Sequence, residues 1–228
     1  MSSPDGSPGR TPEFVAVVGN PRAGSRTAAL AVATLHAIAD LIAGPAGAAD
    51  PGTADPGTAE SAGQENRAGT NTAVIDLAEL LVTAGTPFGV DAPRRYAEPL
   101  NQLRSARLLV VATPTYKASY TGLLKSFLDH VAAGALAGIV AVPVVTAGSP
   151  AHFLAADVHL RPLLLELGAV CPTSALVVGE DRLADPAAAI ESWLVTAAPT
   201  LTRWFGPLTG PVELAAAGSG AGQRRPRE

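Results

Sequence analysis

Five short, continuous apolar runs alternate with segments of helical periodicity, and this alternation constrains the fold more than any other feature of the chain. The runs predict strands over residues 14–18, 73–77, 108–112, 139–145 and 170–178. Strands without a polar face are typical of a parallel sheet that helices cover on both sides. The sequence therefore predicts an α/β protein built on a five-stranded parallel sheet.

Helical spacing of apolar residues predicts the connections between these strands. Helices are expected over residues 25–42, 94–107, 120–133, 152–167 and 185–205. Gly168 is typical of a helix C-terminus, and Asp185 followed by Pro186 is typical of an N-terminus. Pro172 has no backbone N–H to donate, which places the fifth strand near a sheet edge or puts the proline at its start.

The organisation predicted is a single domain over residues 13–206, because 228 residues can bury one sizeable core. Composition changes over residues 44–72, where ADPGT occurs twice in tandem and no periodic apolar face is present. This segment is predicted to be a disordered insertion. Residues 1–12 and 207–228 are expected to be flexible termini.

Charge, hydropathy and cysteine content exclude several classes of protein. A net charge of −4 provides no basic surface for nucleic acid. The sequence has no uninterrupted apolar run of about 18 residues and no apolar export signal near its start, so neither a membrane span nor secretion is expected. Cys171 is the single cysteine, which excludes an internal disulfide and is consistent with the cytoplasm as the predicted location.

Ligands of parallel sheets bind beyond the carboxyl ends of the strands, so the loops that follow the strands are the places to look for chemistry. The first loop is GNPRAGSRT, residues 19–27, between a strand and a helix. Amides at a helix N-terminus, the hydroxyls of Ser25 and Thr27, and the guanidinium groups of Arg22 and Arg26 together suit a phosphate. The alternative is an ordinary turn with Ser25 as helix cap. The loop is neither a Walker motif nor a GxGxxG dinucleotide fingerprint.

Two further loops fall at the same predicted edge. Residues 113–125 place an aromatic ring, a cation and several hydroxyls after the third strand, and residues 146–152 are small and polar, which lets a flat ligand approach backbone amides. The only two lysines, Lys117 and Lys125, both lie in the 113–125 segment. Because an ammonium and a guanidinium are not equivalent, Lys117 is predicted to have a positional role, whereas Lys125 is expected to be solvated.

The three loops together resemble the NADPH-dependent FMN reductase family. The motifs are GNPRxxSRT, ATPTYKASYxGxLK and TAGxxAHxLAxD, in this order. Within the family the chain is most similar to the flavin reductases of alkanesulfonate monooxygenase systems. The resemblance covers about residues 14–204 apart from the insertion, and it implies a flavodoxin-like three-layer sandwich with strand order 2-1-3-4-5.

The resemblance also implies which residues would bind FMN. Around the phosphate these are Asn20, Arg22, Ser25, Arg26 and Thr27; along the ribityl chain and ring Pro114, Thr115, Tyr116 and Lys117; at the other ring edge Thr146, Ala147, Gly148 and Ser149. Two positions depart from the family pattern, because Asn20 replaces a usual serine and Ala147 a frequent glycine. No catalytic side chain and no metal ligand is expected, since flavin and nicotinamide carry the reaction themselves.

The implied activity is hydride transfer from NADPH or NADH to FMN, with reduced FMN supplied to a partner monooxygenase. Tyr120 matches a tyrosine that this branch places in a π-bulged helix at a tetramer interface, so a homodimer or homotetramer is expected; a core aromatic is the other interpretation. Two other functions stay open: a quinone or azo reductase with permanently bound FMN, and a flavodoxin-type electron carrier. The loop arginines and the small net charge count against the carrier.

Overall fold

The computed structural model describes residues 13–44 and 71–206. Its strands are β1 (Phe14–Val18), β2 (Thr72–Asp76), β3 (Leu108–Pro114), β4 (Val140–Ala147) and β5 (Leu176–Gly179). They form one parallel sheet of order β2-β1-β3-β4-β5. The predicted α/β class and the flavodoxin-like strand order are therefore confirmed.

Seven α-helices connect or follow the strands in the described part of the chain. They are α1 (Arg26–Ala43), α2 (Leu77–Thr83), α3 (Ala92–Arg95), α4 (Ala97–Ser105), α5 (Gly122–Leu128), α6 (Arg161–Glu166) and α7 (Pro186–Phe205). Two 3₁₀ turns, Pro150–His152 and Glu180–Arg182, follow β4 and β5, and a π-helix, Ala156–Leu160, precedes α6. The predicted caps of the last helix are present, because Asp185 accepts a hydrogen bond from the amide of Ala188 and Pro186 is its first residue.

The helices form two layers, one on each face of the sheet. Side chains of β1 alternate between the layers, with Val15 and Val17 on one face and Phe14, Ala16 and Val18 on the other. The first group packs against α3 to α6, and the second packs against α1 and α7. Because both faces are covered, β1, β3 and β4 are buried at every position, as the apolar runs predicted.

Helix α1 is long and strongly apolar. Among the described helices it is the one that passes a length and hydropathy test for a membrane span, a property hidden in the sequence because His36 and Asp40 interrupt its apolar run. Its buried side chains, including Leu30, Leu35 and Ile38, pack against the sheet. This is the arrangement of a core helix.

The predicted helix over 94–107 is wrong in detail, because two helices, α3 and α4, replace it. Pro99 has no N–H to donate to the carbonyl of Arg95, so a continuous helix would lack that bond. Tyr96 lies at the junction and is 1% exposed. Its ring centroid is 5.8 Å from that of Phe127, and its hydroxyl donates to the carbonyl of Gly85. The buried ring of Tyr96 thus packs at the break between α3 and α4.

The helix predicted over 152–167 is also interrupted. A 3₁₀ turn, a π-helix and then the short helix α6 occupy this region before Gly168, whose φ of +94° ends the helix as predicted. Pro162 contributes to the irregularity, since it cannot donate to the carbonyl of Val158. The helix predicted over 120–133 is shorter than expected, and α5 begins only at Gly122.

Tyr120 therefore lies before α5, and not inside a π-bulged helix; the described π-helix is instead at Ala156–Leu160. The half-buried ring of Tyr120 packs against the core, which agrees with the interpretation of this residue as a core aromatic. The fifth strand is also shorter than predicted. Val170 pairs with Val140 only as an isolated bridge, and regular pairing begins at Leu176, after Pro172.

Three further predictions concern segments outside the described residues. The termini at 1–12 and 207–228 and nearly all of the insertion at 44–72 fall there. The insertion nevertheless has a defined place in the chain, because it connects the end of α1 to the start of β2.

Candidate functional site

The three loops identified from the sequence meet at the carboxyl edge of the sheet. Hydrogen bonds join the loop ends directly: the amide of Gly19 donates to the carbonyl of Ala112 at 2.7 Å, and the amide of Thr115 donates to the carbonyl of Thr146 at 2.8 Å. Parallel strands bring these ends together because all their carboxyl termini lie on one side. The loops after β1, β3 and β4 are thus one structural unit.

The loop between β1 and α1 is held by its own side chains. Ser25 caps α1, its hydroxyl accepting from the amide of Ala28 at 3.1 Å. Asn20 spans the loop, donating to the Thr27 hydroxyl at 3.1 Å and accepting from the amide of Arg22 at 3.0 Å. The Thr27 hydroxyl lies 2.9 Å from that of Thr146, and both side chains are buried. An asparagine at position 20 therefore orders the loop from both sides.

A cavity of about 320 Å³ opens over this loop. Eight of the predicted ligand-binding residues line it: Asn20, Arg22, Ser25, Arg26, Thr27, Pro114, Tyr116 and Thr146. The cavity faces the N-terminus of α1, where the first amides of an 18-residue helix have no partner within the helix. Two guanidinium groups, two hydroxyls and a helix N-terminus form a donor set that fits a phosphate group.

The loop after β3 folds back as a tight two-residue turn. Tyr116 and Ser119 exchange both backbone hydrogen bonds, and Lys117 and Ala118 between them have φ angles of 51° and 63°. Positive φ at two successive residues that are not glycine is strained and is found most often at functional sites. The turn holds Tyr116, which is 48% exposed, at the rim of the cavity.

Helix α5 anchors this turn to the first loop. Thr121 caps α5, and its hydroxyl also donates to the carbonyl of Gly19. Lys125 is not merely solvated as expected, because its ammonium pairs with Asp129 one turn along, an interaction that raises the pKa of the lysine.

Three of the five remaining predicted residues lie around a second, adjacent cavity of about 450 Å³. Ala147, Gly148 and Ser149 line it together with Phe153, and Thr146 and Ala147 are the last residues of β4 and not loop residues. Thr115 and Lys117 line neither of these two cavities. The Thr115 hydroxyl instead donates to the backbone carbonyl of Thr146 at 3.3 Å.

Sequence reasoning missed Glu180, which lines both cavities. It follows β5 directly, so the rule that sites form at the carboxyl ends of strands was the signal that could have found it. The predicted fifth strand ended at Val178, two residues before Glu180, but the predicted site took in only the loops after the first, third and fourth strands. Leu183 was missed in the same way.

The described residues contain no group of three or more histidine, cysteine, aspartate or glutamate side chains that could hold a metal ion. The chemistry of the site therefore lies in its donors to an anion and in the exposed ring of Tyr116 beside them.

Strand order 2-1-3-4-5, with a phosphate-suited loop after the first strand, defines a flavodoxin-like α/β protein. The chain belongs to the NADPH-dependent FMN reductase family, whose model matches residues 12–182. Among solved structures it is similar to an apo NADH:FMN oxidoreductase, EmoB, at 29% identity and a TM-score of 0.55, over 80% of this chain and 88% of that one.

Curated proteins match over shorter segments. The "FMN reductase (NADPH)" of Escherichia coli K12 is 50% identical over 68 residues, which are 30% of this chain and 36% of that protein. The "NADH-dependent FMN reductase SfnE" of Pseudomonas putida is 31% identical over 113 residues, 49% of this chain and 61% of that protein. The matched segments thus span about a third to three fifths of these relatives.

Proposed function

We propose that this chain is an NAD(P)H-dependent FMN reductase. The observation that carries the proposal is the cavity in which Arg22, Arg26, Ser25 and Thr27 surround the N-terminus of α1 at the carboxyl end of β1. Family membership and the similarity to proteins named FMN reductases support the same activity.

The residues of the site divide into three groups by what they would do. Those around the cavity floor, Asn20, Arg22, Ser25, Arg26 and Thr27, bind the phosphate and neutralise its charge. Pro114 and Tyr116 border the ribityl chain and ring. Thr115 and Lys117 line neither cavity and would support this wall, Thr115 through its hydrogen bond to the carbonyl of Thr146 and Lys117 through the strained turn that holds Tyr116 at the cavity rim. Thr146, Ala147, Gly148 and Ser149 form the wall at the other ring edge.

When bound, FMN supplies the hydride acceptor, and NADPH or NADH supplies the hydride. The protein contributes orientation and electrostatics, and no side chain has to exchange a proton with the reacting atoms. The buried hydrogen bond between Thr27 and Thr146 holds the phosphate loop against the end of β4. The sheet would thereby hold the residues proposed to bind the phosphate at a fixed position relative to those proposed to border the ring.

The proposal extends to partners and location. Reduced FMN would pass to a flavin-dependent monooxygenase, as the resemblance to reductases of monooxygenase systems implies. A homodimer or homotetramer that uses the region around Tyr120 is proposed as the assembly, and the cytoplasm as the location.

Oxidation of NADPH and NADH in the presence of FMN, FAD or riboflavin tests the activity. A colourless protein that oxidises either nucleotide only with added FMN supports the proposal. A yellow protein that retains FMN through purification and reduces quinones or azo dyes indicates the alternative reductase. A protein inert with both nucleotides and every flavin refutes the assignment.

The phosphate site is tested separately by flavin titration. We expect Arg22→Ala to raise the FMN dissociation constant about threefold to tenfold, because an exposed charge-assisted contact to the phosphate is lost. Arg94→Ala removes the same charge from the exposed surface of α3 and serves as the matched control. Equal constants for Arg22→Ala and the control would remove Arg22 from the site.

A further inference from the structure

Glu180 lines the cavity proposed to bind phosphate, and its carboxylate lies close to Arg26, another lining residue of that cavity. It begins the 3₁₀ turn that follows β5, so the end of that strand delivers it to the same sheet edge as the three loops. It lines the cavity over the first loop and the adjacent cavity beside Gly148. A Cβ built on Gly148 would lie 3.7 Å from the Glu180 carboxyl carbon, which places the side chain over the loop after β4.

The partner of Glu180 is one of the two arginines of the phosphate loop. Nη2 of Arg26 lies 3.7 Å from the Glu180 carboxylate, and Nη1 of Arg26 donates to the Glu180 carbonyl at 3.3 Å. Both side chains are about 60% exposed, so this pair is accessible to solvent and to a ligand. Of the described residues, none forms an ion pair with Arg22, the other arginine of the loop. Before a ligand binds, Arg26 is therefore paired with a carboxylate, whereas Arg22 has no ion-pair partner among the described residues.

A phosphate monoester carries a charge close to −2 at neutral pH and needs these guanidinium groups as donors. In this cavity it must compete with the Glu180 carboxylate for Arg26, and it also meets that carboxylate as a like charge. Both effects weaken the binding of a phosphorylated flavin, and neither acts on a flavin without a phosphate.

We propose that Glu180 sets the affinity for FMN by competing with the flavin phosphate for Arg26, which keeps the flavin exchangeable. The inference rests on the proposed function, because it takes the cavity as the phosphate site. It makes Glu180 an affinity-determining residue that acts through Arg26. A reductase that hands reduced FMN to another enzyme must release it, and a carboxylate held against one of its two phosphate-binding arginines favours release.

A purely structural role for Glu180 predicts that its substitution changes FMN affinity in the opposite direction. If Glu180 merely positions Arg26 for the phosphate, its removal must weaken FMN binding. Glu180→Gln distinguishes the two roles, because it removes the charge while keeping the backbone carbonyl that also accepts from Arg26. Glu191→Gln is the matched control, since Glu191 is exposed on α7 and lines neither cavity.

The experiment measures dissociation constants of FMN and riboflavin by quenching of flavin fluorescence, for the wild-type chain and both variants, at low and high salt. We expect Glu180→Gln to lower the constant for FMN about threefold to tenfold and to leave that for riboflavin within about 1.5-fold. The gain for FMN should shrink below about twofold in 1 M NaCl, where charges are screened within about 3 Å. Glu191→Gln should change FMN binding less than about 1.5-fold. Glu180→Ala must give the same direction as Glu180→Gln, and it replaces that variant if glutamine impairs folding.

Three results would overturn the inference: weaker or unchanged FMN binding in the Glu180 variants, an equal gain for riboflavin, or an equal gain from Glu191→Gln. Any of these results together with a wild-type chain that binds FMN contradicts this inference alone. A wild-type chain that binds neither flavin contradicts the proposed function, and the inference with it.

Discussion

Gly19 is the position where the smallest change should disturb both the core and the candidate site. It is buried at the end of β1, and a Cβ built on it would lie 2.6 Å from Cβ of Leu124 and 3.1 Å from its Cγ. Leu124 is fully buried in α5 and cannot swing into solvent. Gly19→Ala therefore has to displace α5, whose cap residue Thr121 donates to the Gly19 carbonyl.

Overpacking of this kind typically costs about 1–3 kcal/mol. For a chain of this size each kcal/mol lowers the melting temperature by about 2–4 °C. We therefore expect Gly19→Ala to lower the melting temperature, followed by circular dichroism, by about 2–12 °C, and to weaken FMN binding because α5 carries the Tyr116 turn. Gly122→Ala is the matched control on the same helix, since a Cβ there meets no atom within 4 Å.

A double variant tests whether the contact with Leu124 is the cause. Leu124→Ala alone should cost about 2–5 kcal/mol through the cavity that it leaves. In the double variant the methyl group introduced at position 19 occupies part of that space, so the combined loss should be smaller than the sum by about 1 kcal/mol or more. Additive losses, or a Gly19→Ala variant as stable as the wild type, would refute the steric reasoning.

Two further predictions follow from pKa shifts. Burial raises the pKa of Asp76 above its ordinary 3.8, so the carboxyl favours the folded state when protonated, and this contribution is lost as the pH rises through its folded pKa. Asp76→Asn, which can still accept from the amide of Ala78, should therefore melt higher than the wild type at pH 7 and equally near pH 3; a pH-independent difference contradicts this. Burial likewise raises the pKa of the Cys171 thiol, so a disulfide reagent at pH 8 should label the folded chain about tenfold or more slowly than the unfolded chain, and equal rates would show a reactive thiolate.

The sheet could be predicted from the sequence because burial on both faces leaves a local signal. Val15, Ala16 and Val17 are apolar without alternation, and such a run has few other interpretations in a chain of this length. The polar groups of the loop between β1 and α1 could be recognised for a similar reason, since Asn20, Arg22, Ser25, Arg26 and Thr27 lie close together in the chain. That they would bind a phosphate stays a prediction.

Pro99, Pro162 and the position of Glu180 after β5 are local signals, but the exact course of the helices and the pairing of Glu180 also depend on contacts between distant residues. At the junction of α3 and α4 the ring of Tyr96 packs against Phe127, 31 positions away, and Arg26 meets Glu180 across 154 positions. The π-helix at Ala156–Leu160 adds a residue to one turn without changing which side chains are apolar. Arg161 helps to hold that region, donating to the carbonyls of Cys171 and Thr173 at 2.8 and 2.9 Å.

The proposed function combines binding of FMN through its phosphate with hydride transfer to it from a nicotinamide nucleotide. The most direct measurement is anaerobic bleaching of flavin absorbance by NADPH or NADH, with FMN and riboflavin compared at equal, subsaturating concentrations and catalytic amounts of protein. We predict that FMN is bleached about tenfold faster than riboflavin, a preference that Arg22→Ala reduces. Equal rates for the two flavins, or no bleaching by either nucleotide, would contradict the account.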